Sequence, residues 1–216
     1  MKLEDRLTHL ALGGATWVLW LLIALSVVSL AIMLERGLYF ATSRDDIPAL
    51  TRRLLQRLAR GERGEAQREL EASPSIEARI ARVVLVGSPA GAEARVRSET
   101  GLARLRMERF VAVLGTLGSN APFVGLLGTV IGIIGAFHQL DASSGRMSSG
   151  LMSEIGEALV VTGLGLVVAL PAVVAFNVLQ RVIQVRLDRS AALAQVLIAA
   201  TSEEDGPRSG RRGEVA

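Results

Sequence analysis

The sequence is divided by three long segments that contain no Asp, Glu, Lys or Arg. Residues 7–34, 110–140 and 158–180 form these segments, which are 28, 31 and 23 residues long. A helix that crosses the roughly 30 Å hydrocarbon core of a bilayer needs about 20 predominantly apolar residues. Each segment is long enough, so the sequence predicts an all-α membrane protein with three transmembrane helices.

The composition excludes several classes of protein. Of the 216 residues 50% are hydrophobic and only 4% are aromatic, whereas a soluble domain of this length has fewer apolar residues. There is no cysteine, and the two histidines are His9 and His138. Disulfides and thiol catalysis are therefore excluded, and neither a metal nor a cofactor is expected. Because the polar segments hold no nucleophile–base pair or phosphate loop, we expect no enzymatic activity.

The first uncharged segment has two interpretations. Lys2 and Arg6 precede it, and Ser29-Leu30-Ala31 loosely resembles the cleavage site of a secretory signal peptide. That site lies inside the apolar segment, however, and the segment is much longer than the roughly 7–15 residues of a signal peptide's apolar region. An uncleaved membrane anchor is the better prediction.

The block from Arg36 to Phe110 contains fifteen arginines and ten acidic residues. Nine of the arginines lie near its two ends: Arg36, Arg44, Arg52, Arg53, Arg95, Arg97, Arg104, Arg106 and Arg109. The segments on the other side of the membrane hold only Lys2, Arg6 and Arg146. Since basic residues are enriched in cytoplasmic loops, this asymmetry places the block in the cytoplasm and the N-terminus in the periplasm.

Nucleic-acid binding is a competing explanation of the basic character, because the isoelectric point is about 10.4. The arginines of the block alternate with glutamates, and no aromatic residues are interleaved among them. A basic surface that binds nucleic acid would carry clustered positive charge and stacking side chains. The sequence therefore predicts no nucleic-acid partner.

The charged block has a helical pattern. Four leucines recur at helical spacing: Leu50, Leu54, Leu55 and Leu58. Pro48 precedes them and Gly61 follows, as is typical of a helix start and end. Ser73-Pro74 and Gly87-Ser88-Pro89 mark turns. Because no breaker follows until Pro122, residues 90–140 are predicted to form one helix of roughly 75 Å that extends span two into the cytoplasm.

The predicted organisation therefore has eight segments. They are a periplasmic N-terminus (1–6), transmembrane helix 1 (7–34), a cytoplasmic helical loop (35–109), transmembrane helix 2 (110–140), a periplasmic connection (141–154), transmembrane helix 3 (155–180), a cytoplasmic helix (181–201) and a disordered tail (202–216).

Spans two and three are rich in small residues and contain two prolines. The candidate helix-packing positions are Gly125, Gly128, Gly132, Gly165, Pro122 and Pro171. Glycine is unfavourable in an isolated helix, but in a membrane small residues allow helices to approach closely. The pattern predicts that these two spans pack tightly within a helical bundle.

Three polar residues of these spans are candidates for a proton pathway, namely Glu157, Thr162 and Thr129. An ionisable group at membrane depth is unfavourable and usually faces a bundle interior or a water-filled path. Glu157 could equally be an interfacial carboxylate just outside the hydrocarbon. Since Glu157 and Thr162 lie about 140° apart on an ideal helix, periodicity alone leaves both interpretations open.

Two segments carry a resemblance to a known family. Residues 121–133 read APFVGLLGTVIGI, and residues 155–177 read IGEALVVTGLGLVVALPAVVAFN. They resemble the second-span and third-span signatures of the ExbB/TolQ/MotA family of proton-channel subunits. Glu35-Arg36 at the end of the first span also fits. The resemblance covers residues 110–180 closely, and three spans favour the ExbB and TolQ types over the four-span MotA type.

The resemblance implies a homopentamer of three-span subunits in the bacterial inner membrane, in contact with membrane lipid. The pentamer encloses the helices of an ExbD/TolR-like single-span dimer whose transmembrane aspartate takes the proton, and protons are the transported ion. Their passage energises a TonB/TolA-like protein. Glu157, Thr162 and Thr129 match the residues that face the central cavity in this family. No acid lies in the middle of a span of this chain, in agreement with a partner that supplies one.

Three functions remain open at this point. An ExbB-like subunit would power transport across the outer membrane, and this is favoured because that group is the broadest. A TolQ-like or gliding-type subunit would serve envelope integrity, division or motility. A non-conducting membrane scaffold, whose glycine-rich helices only oligomerise, belongs to a different class.

Overall fold

The computed structural model describes residues 15–43, 45–87, 91–142 and 149–205, and every regular element in these ranges is an α-helix. The helices are α1 (Thr16–Thr42), α2 (Ile47–Ala59), α3 (Arg63–Ala72), α4 (Ile76–Leu85), α5 (Ala92–Glu108), α6 (Val111–Ala142) and α7 (Ser149–Asp205). Three of them, α1, α6 and α7, are long and apolar enough to cross a membrane. The predicted all-α fold with three apolar spans is confirmed for the described residues.

The chain divides into two compact units. The apolar unit comprises Met1–Glu35 and Phe110–Val178, and the charged unit comprises Arg36–Arg109 and Leu179–Ala216. Helices α1 and α7 contribute residues to both units. The predicted N-terminal segment and the first part of the predicted first span, up to residue 14, lie outside the described residues.

In the apolar unit, glycines bring α6 and α7 into close contact. A Cβ atom on Gly165 would lie 2.8 Å from the carbonyl oxygen of Ala121 and 3.0 Å from the Cα of Gly125. A Cβ atom on Gly132 would lie 2.5 Å from the Cβ of Ala158. We call this contact line the α6–α7 seam. Its residues are Ala121, Gly125, Gly128, Gly132, Ala158, Val161 and Gly165.

Helix α1 completes the core of the apolar unit. Val18 and Leu22 of α1 are fully buried in a cluster with residues of both other spans, including Ile131 and Val161. Pro122 and Pro171 lie inside α6 and α7, and neither proline ends its helix. Proline is tolerated within a membrane helix where neighbouring groups satisfy the freed backbone.

The prediction of one continuous helix over residues 90–140 is wrong. Helix α5 ends at Glu108 and α6 begins at Val111. Between them Phe110 has φ 63°, a left-handed conformation that costs a residue with a side chain roughly 1–2 kcal/mol. A right-handed helix cannot continue through such a residue. Neither glycine nor proline stands at this position, so the sequence pattern carried no signal of the break.

Two predicted segment boundaries also need correction. Helix α7 continues to Asp205, because residues 202–205 extend it by about one turn past the predicted start of the tail at residue 202. Residues 206–216 lie outside the described residues. In the predicted connection 141–154, residues 141–142 belong to α6 and residues 149–154 belong to α7. Residues 143–148 lie outside the described residues.

The charged unit has its own apolar core. Its buried residues from α2, α3, α4 and α7 include Leu50, Leu54, Leu58, Leu70, Val84, Leu193 and Leu197. Three leucines of the predicted α2 pattern, Leu50, Leu54 and Leu58, therefore face this core, whereas Leu55 is half-buried. Asp46 caps α2 by accepting a hydrogen bond from the Ala49 N–H at 3.1 Å, and Ser75 caps α4 in the same way through the Ala78 N–H. Such caps satisfy backbone donors that a helix start leaves free.

A buried arginine joins α7 to the end of α1 within the charged unit. Arg186 donates hydrogen bonds to the carbonyl oxygens of Phe40 at 2.7 Å and Ser43 at 2.8 Å. Its guanidinium also lies 5.4 Å from the centre of the Phe40 ring. The last carbonyls of a helix have no partner inside the helix, so Arg186 supplies the donors that α1 lacks at its C-terminal end.

We expect Arg186→Ala to lower the thermal unfolding midpoint by roughly 5–10 °C, because the buried Phe40 carbonyl and the half-buried Ser43 carbonyl lose their charged donor. The measurement is a thermal scan of the purified protein in detergent, followed by far-UV circular dichroism. Arg68→Ala is the matched control, since Arg68 is exposed and, among the described residues, pairs only with Glu65 one turn away. Equal midpoints for the two variants would contradict this role of Arg186.

Candidate functional site

Two threonine hydroxyl groups meet across the α6–α7 seam. Thr129 of α6 and Thr162 of α7 are both half-buried, and their hydroxyl groups are hydrogen-bonded to each other. The Thr162 hydroxyl donates to the carbonyl oxygen of Gly125 at 3.0 Å, which leaves its oxygen free to accept from Thr129. The two hydroxyls therefore form a short donor chain inside the apolar unit. We call them the threonine pair.

Small residues make this contact possible. A Cβ atom on Gly125 would lie 3.2 Å from the Cα of Thr162 and 3.2 Å from the Cα of Gly165. The two backbones can approach this closely because neither glycine carries a side chain. The glycines that the sequence marks as packing positions thus bring together the two threonines that it marks as pathway positions.

Glu157 lies on a different face of α7 from the threonine pair. Its side chain is exposed in the single chain, and its Oε1 atom accepts a hydrogen bond from the Thr16 hydroxyl at 3.0 Å. Thr16 is the first residue of α1, so Glu157 is bonded to the first span rather than to the second. The angular separation of about 140° between Glu157 and Thr162 is consistent with this arrangement.

Thr16 is a site residue that sequence reasoning missed. It is the first residue of an apolar helix, a position where polar residues are common. A threonine there is therefore not by itself a sign of a functional site. One signal was available, because both α1 and α7 begin at the same predicted side of the membrane. Polar residues near the starts of two such helices fall at a similar depth.

Glu154 lies one turn before Glu157 and is directed to the α6–α7 seam. Its Oε1 atom accepts a hydrogen bond from the Gln139 amide, and its Oε2 atom is buried with no hydrogen-bond partner in the described part of the chain. A Cβ atom on Gly135 would lie 3.1 Å from Oε2. On an ideal helix Glu154 lies about 80° from Thr162, closer to the face of the threonine pair than Glu157 does.

Other polar residues of α6 face away from the seam. Thr116, Ser119 and Asn120 are exposed in the single chain. The Ser119 hydroxyl donates to the Gly115 carbonyl at 2.9 Å, and the Asn120 amide donates to the Thr116 carbonyl at 2.8 Å. Exposed hydroxyl and amide groups on an apolar helix fit a surface that contacts water or another protein better than one that contacts lipid.

The described residues contain no group of three or more His, Asp or Glu side chains that could hold a metal ion. The polar side chains at the helix contacts of the apolar unit include the carboxylates of Glu154 and Glu157 and the hydroxyl groups of the threonine pair. Such groups can accept, hold and pass on a proton.

The three apolar helices are those of a multi-pass membrane protein. The carboxylates and hydroxyls near the helix contacts are its candidate proton-handling residues. The MotA/TolQ/ExbB proton channel family model matches residues 67–191, which is more than half of the chain. The chain belongs to this family, which is a transport rather than an enzymatic family.

Curated relatives agree with this assignment. The chain is 44% identical over 77 residues to a putative biopolymer transport protein ExbB-like 2 of Helicobacter pylori, covering 36% of this chain and 51% of the relative. It is 42% identical over 118 residues to the biopolymer transport protein ExbB of Pseudomonas putida, and this alignment covers 49% of this chain and 36% of the relative. It is 39% identical over 87 residues to the biopolymer transport protein ExbB of Neisseria gonorrhoeae, and this alignment covers 40% of this chain and 40% of the relative. The alignments thus span about half or less of these relatives.

Proposed function

We propose that the chain is the proton-channel subunit of an ExbB–ExbD-type complex in the bacterial inner membrane. The complex uses the proton motive force to energise a TonB-type protein for transport across the outer membrane. The observation that carries this proposal is the threonine pair in the α6–α7 seam of a proton-channel family member. Hydroxyl groups in an apolar unit are retained at a cost, so a pathway role explains their position.

The carboxylates lie nearer the start of α7 than the threonine pair does. Along a helix axis, Thr162 is roughly 7 Å beyond Glu157 and roughly 12 Å beyond Glu154. We propose that a proton reaches these carboxylates from the periplasm and passes to the level of the threonine pair. Deeper in α6 and α7 the described helices offer no further acid before the charged unit begins. A partner must then supply the next acceptor.

That partner is proposed to be an ExbD/TolR-like dimer, with one transmembrane helix and one aspartate in each copy. Five copies of the present chain would surround it. Glu157 on one face of α7, and Thr162 and Thr129 in the α6–α7 seam, would carry the proton toward the enclosed helices. Each proton that crosses a potential of 100 mV releases about 2.3 kcal/mol, so successive protons can drive a conformational cycle. The N-terminus would be periplasmic and the charged unit cytoplasmic, as the arginine asymmetry indicates.

The curated relatives favour the ExbB type over the TolQ and gliding types, because those quoted above carry the name ExbB. The periplasmic protein that co-purifies with the complex tests this choice. A TonB-like protein supports the proposed function, whereas a TolA-like protein or a gliding component contradicts it. A non-conducting scaffold would account for the glycine seam but would not need the hydroxyl pair within it.

Replacing both threonines of the pair with valine is expected to lower proton-driven transport at least ten-fold, roughly the effect of removing one proton-transfer group. Valine has nearly the same shape as threonine but neither donates nor accepts a hydrogen bond. The double variant Thr129→Ser with Thr162→Ser keeps both hydroxyls and should retain transport. Thr116→Val is the matched control on the exposed face of α6. If the double valine variant transports at the wild-type rate, the pair is structural.

A further inference from the structure

The charged unit contains a cavity of ≈ 380 Å³ that the proposed function does not use. Five charged side chains line it, together with Ser43 and two valines. The charged residues are Asp45, Glu77, Arg181, Arg186 and Arg189. A cavity of this size is large enough for a small polar molecule or a lipid headgroup.

Glu77 is the unusual member of this lining. It lies in the first turn of α4 and is only 3% exposed, yet it forms no hydrogen bond or ion pair with any described residue. A buried carboxylate is unfavourable unless it is paired, and the helix start compensates only part of this cost. The cavity is therefore the place from which a cationic partner can reach Glu77.

The other charged residues divide into two groups. Asp45 accepts hydrogen bonds from the Ser73 hydroxyl at 2.5 Å and from the Asp46 N–H at 2.8 Å, and Arg186 is bonded to the end of α1. Arg181 and Arg189 are exposed and form no such bonds within the described part of the chain. The cavity thus offers one unpaired anion and two unpaired cations.

We propose that this cavity binds a zwitterion in which an ammonium group meets Glu77 and a phosphate meets Arg181 and Arg189. A simple anion would be repelled by Glu77, and a simple cation by the arginines, whereas a molecule with both charges satisfies all three residues. Arginine is well suited to a phosphate because its guanidinium donates two parallel hydrogen bonds.

The phospholipid phosphatidylethanolamine is the proposed source of this zwitterion. Arg181 directly follows the uncharged segment 158–180, where a span ends and lipid headgroups are expected. Val182 and Val185 also line the cavity and can contact the apolar part of a lipid. This inference is independent of proton conduction, since no residue of the cavity belongs to the proposed pathway.

The test compares two vesicle compositions. The full-length protein is reconstituted in phosphatidylethanolamine with phosphatidylglycerol, or in phosphatidylcholine with phosphatidylglycerol at the same ratio, and is then extracted in mild detergent. Native mass spectrometry counts the lipids that remain bound. The choline group has no N–H to donate, so we expect roughly ten-fold more retained phosphatidylethanolamine than phosphatidylcholine, the effect of one charge-assisted hydrogen bond.

Variants locate the lipid in the cavity. Glu77→Gln should abolish the preference for phosphatidylethanolamine, and Arg189→Gln should lower the retention of both lipids because both carry the phosphate, whereas Glu71→Gln, at an exposed position of α3, should change neither. Because Arg189 is exposed, its variant remains informative even if Glu77→Gln does not fold. Equal retention of the two lipids by the wild-type protein would overturn the proposal, as would wild-type retention of both lipids by Arg189→Gln or an unchanged preference in a folded Glu77→Gln variant. If free phosphoethanolamine at equal concentration displaces the lipid, the assignment of the bound zwitterion to a phospholipid is overturned.

Discussion

Replacement of Glu157 with alanine is expected to abolish proton-driven transport while the complex still assembles. The Glu157 side chain is exposed in the single chain and is held by one hydrogen bond from Thr16 at 3.0 Å. Its removal leaves no buried cavity and no unpaired buried group, so assembly should not change. The proton pathway, in contrast, loses a carboxylate that we place at its periplasmic end. Transport is measured as energy-dependent uptake through an outer-membrane receptor, and assembly by cross-linking in membranes.

Two further variants separate proton exchange from positioning. Glu157→Gln keeps the size of the side chain and can still accept the bond from Thr16, but it cannot exchange a proton. It should therefore be as inactive as Glu157→Ala. Thr16→Val removes only the partner, so we expect a smaller loss of transport. Uptake at the wild-type rate in Glu157→Gln would show that Glu157 is not a proton-transfer group.

Gly165→Ala is expected to have the second large effect, a loss of packing in the apolar unit of roughly 1–3 kcal/mol. The added methyl group would lie 2.8 Å from the Ala121 carbonyl oxygen and 3.0 Å from the Gly125 Cα. Both are backbone atoms and cannot rotate away, so α6 and α7 would have to separate. The threonine pair lies next to this contact, so the separation should also weaken its hydrogen bonds. Thermal scans in detergent measure the loss of stability.

Gly163→Ala is the matched control on the same helix. No atom lies within 4 Å of a Cβ built on Gly163, and alanine favours the helix over glycine by up to about 1 kcal/mol. The control should therefore be as stable as the wild-type protein or slightly more stable. If Gly165→Ala and Gly163→Ala have the same midpoint, the close approach of α6 and α7 does not determine stability.

The spans and the family could be predicted from the sequence, because both depend on local patterns. Uncharged segments of more than 20 residues mark the spans directly. The motifs around Thr129 and Thr162 are contiguous, so they are recognisable without a structure. The glycine spacing indicated the contact line between the two helices, but the meeting of the two threonines on it was not predicted.

The rest depends on long-range register and local backbone geometry. The hydrogen bond from Thr16 to Glu157 joins residues that are 141 positions apart in the sequence. A local sequence pattern carries no information about a contact between such distant residues. The left-handed conformation of Phe110 is imposed on a residue type that does not favour it. Glu77 is one of many acidic residues in a block where acidic and basic residues alternate, so the sequence does not indicate that it is buried. Its burial results from the packing of the folded charged unit.

Proton flux into vesicles tests the central claim most directly. The chain is reconstituted with and without an ExbD-like single-span partner, a membrane potential is applied, and a pH-sensitive dye reports the interior. We predict flux only when both proteins are present, and its loss in Glu157→Gln or when the transmembrane aspartate of the partner is replaced. Vesicles in which the Glu157→Gln complex conducts protons as the wild type does would contradict the account.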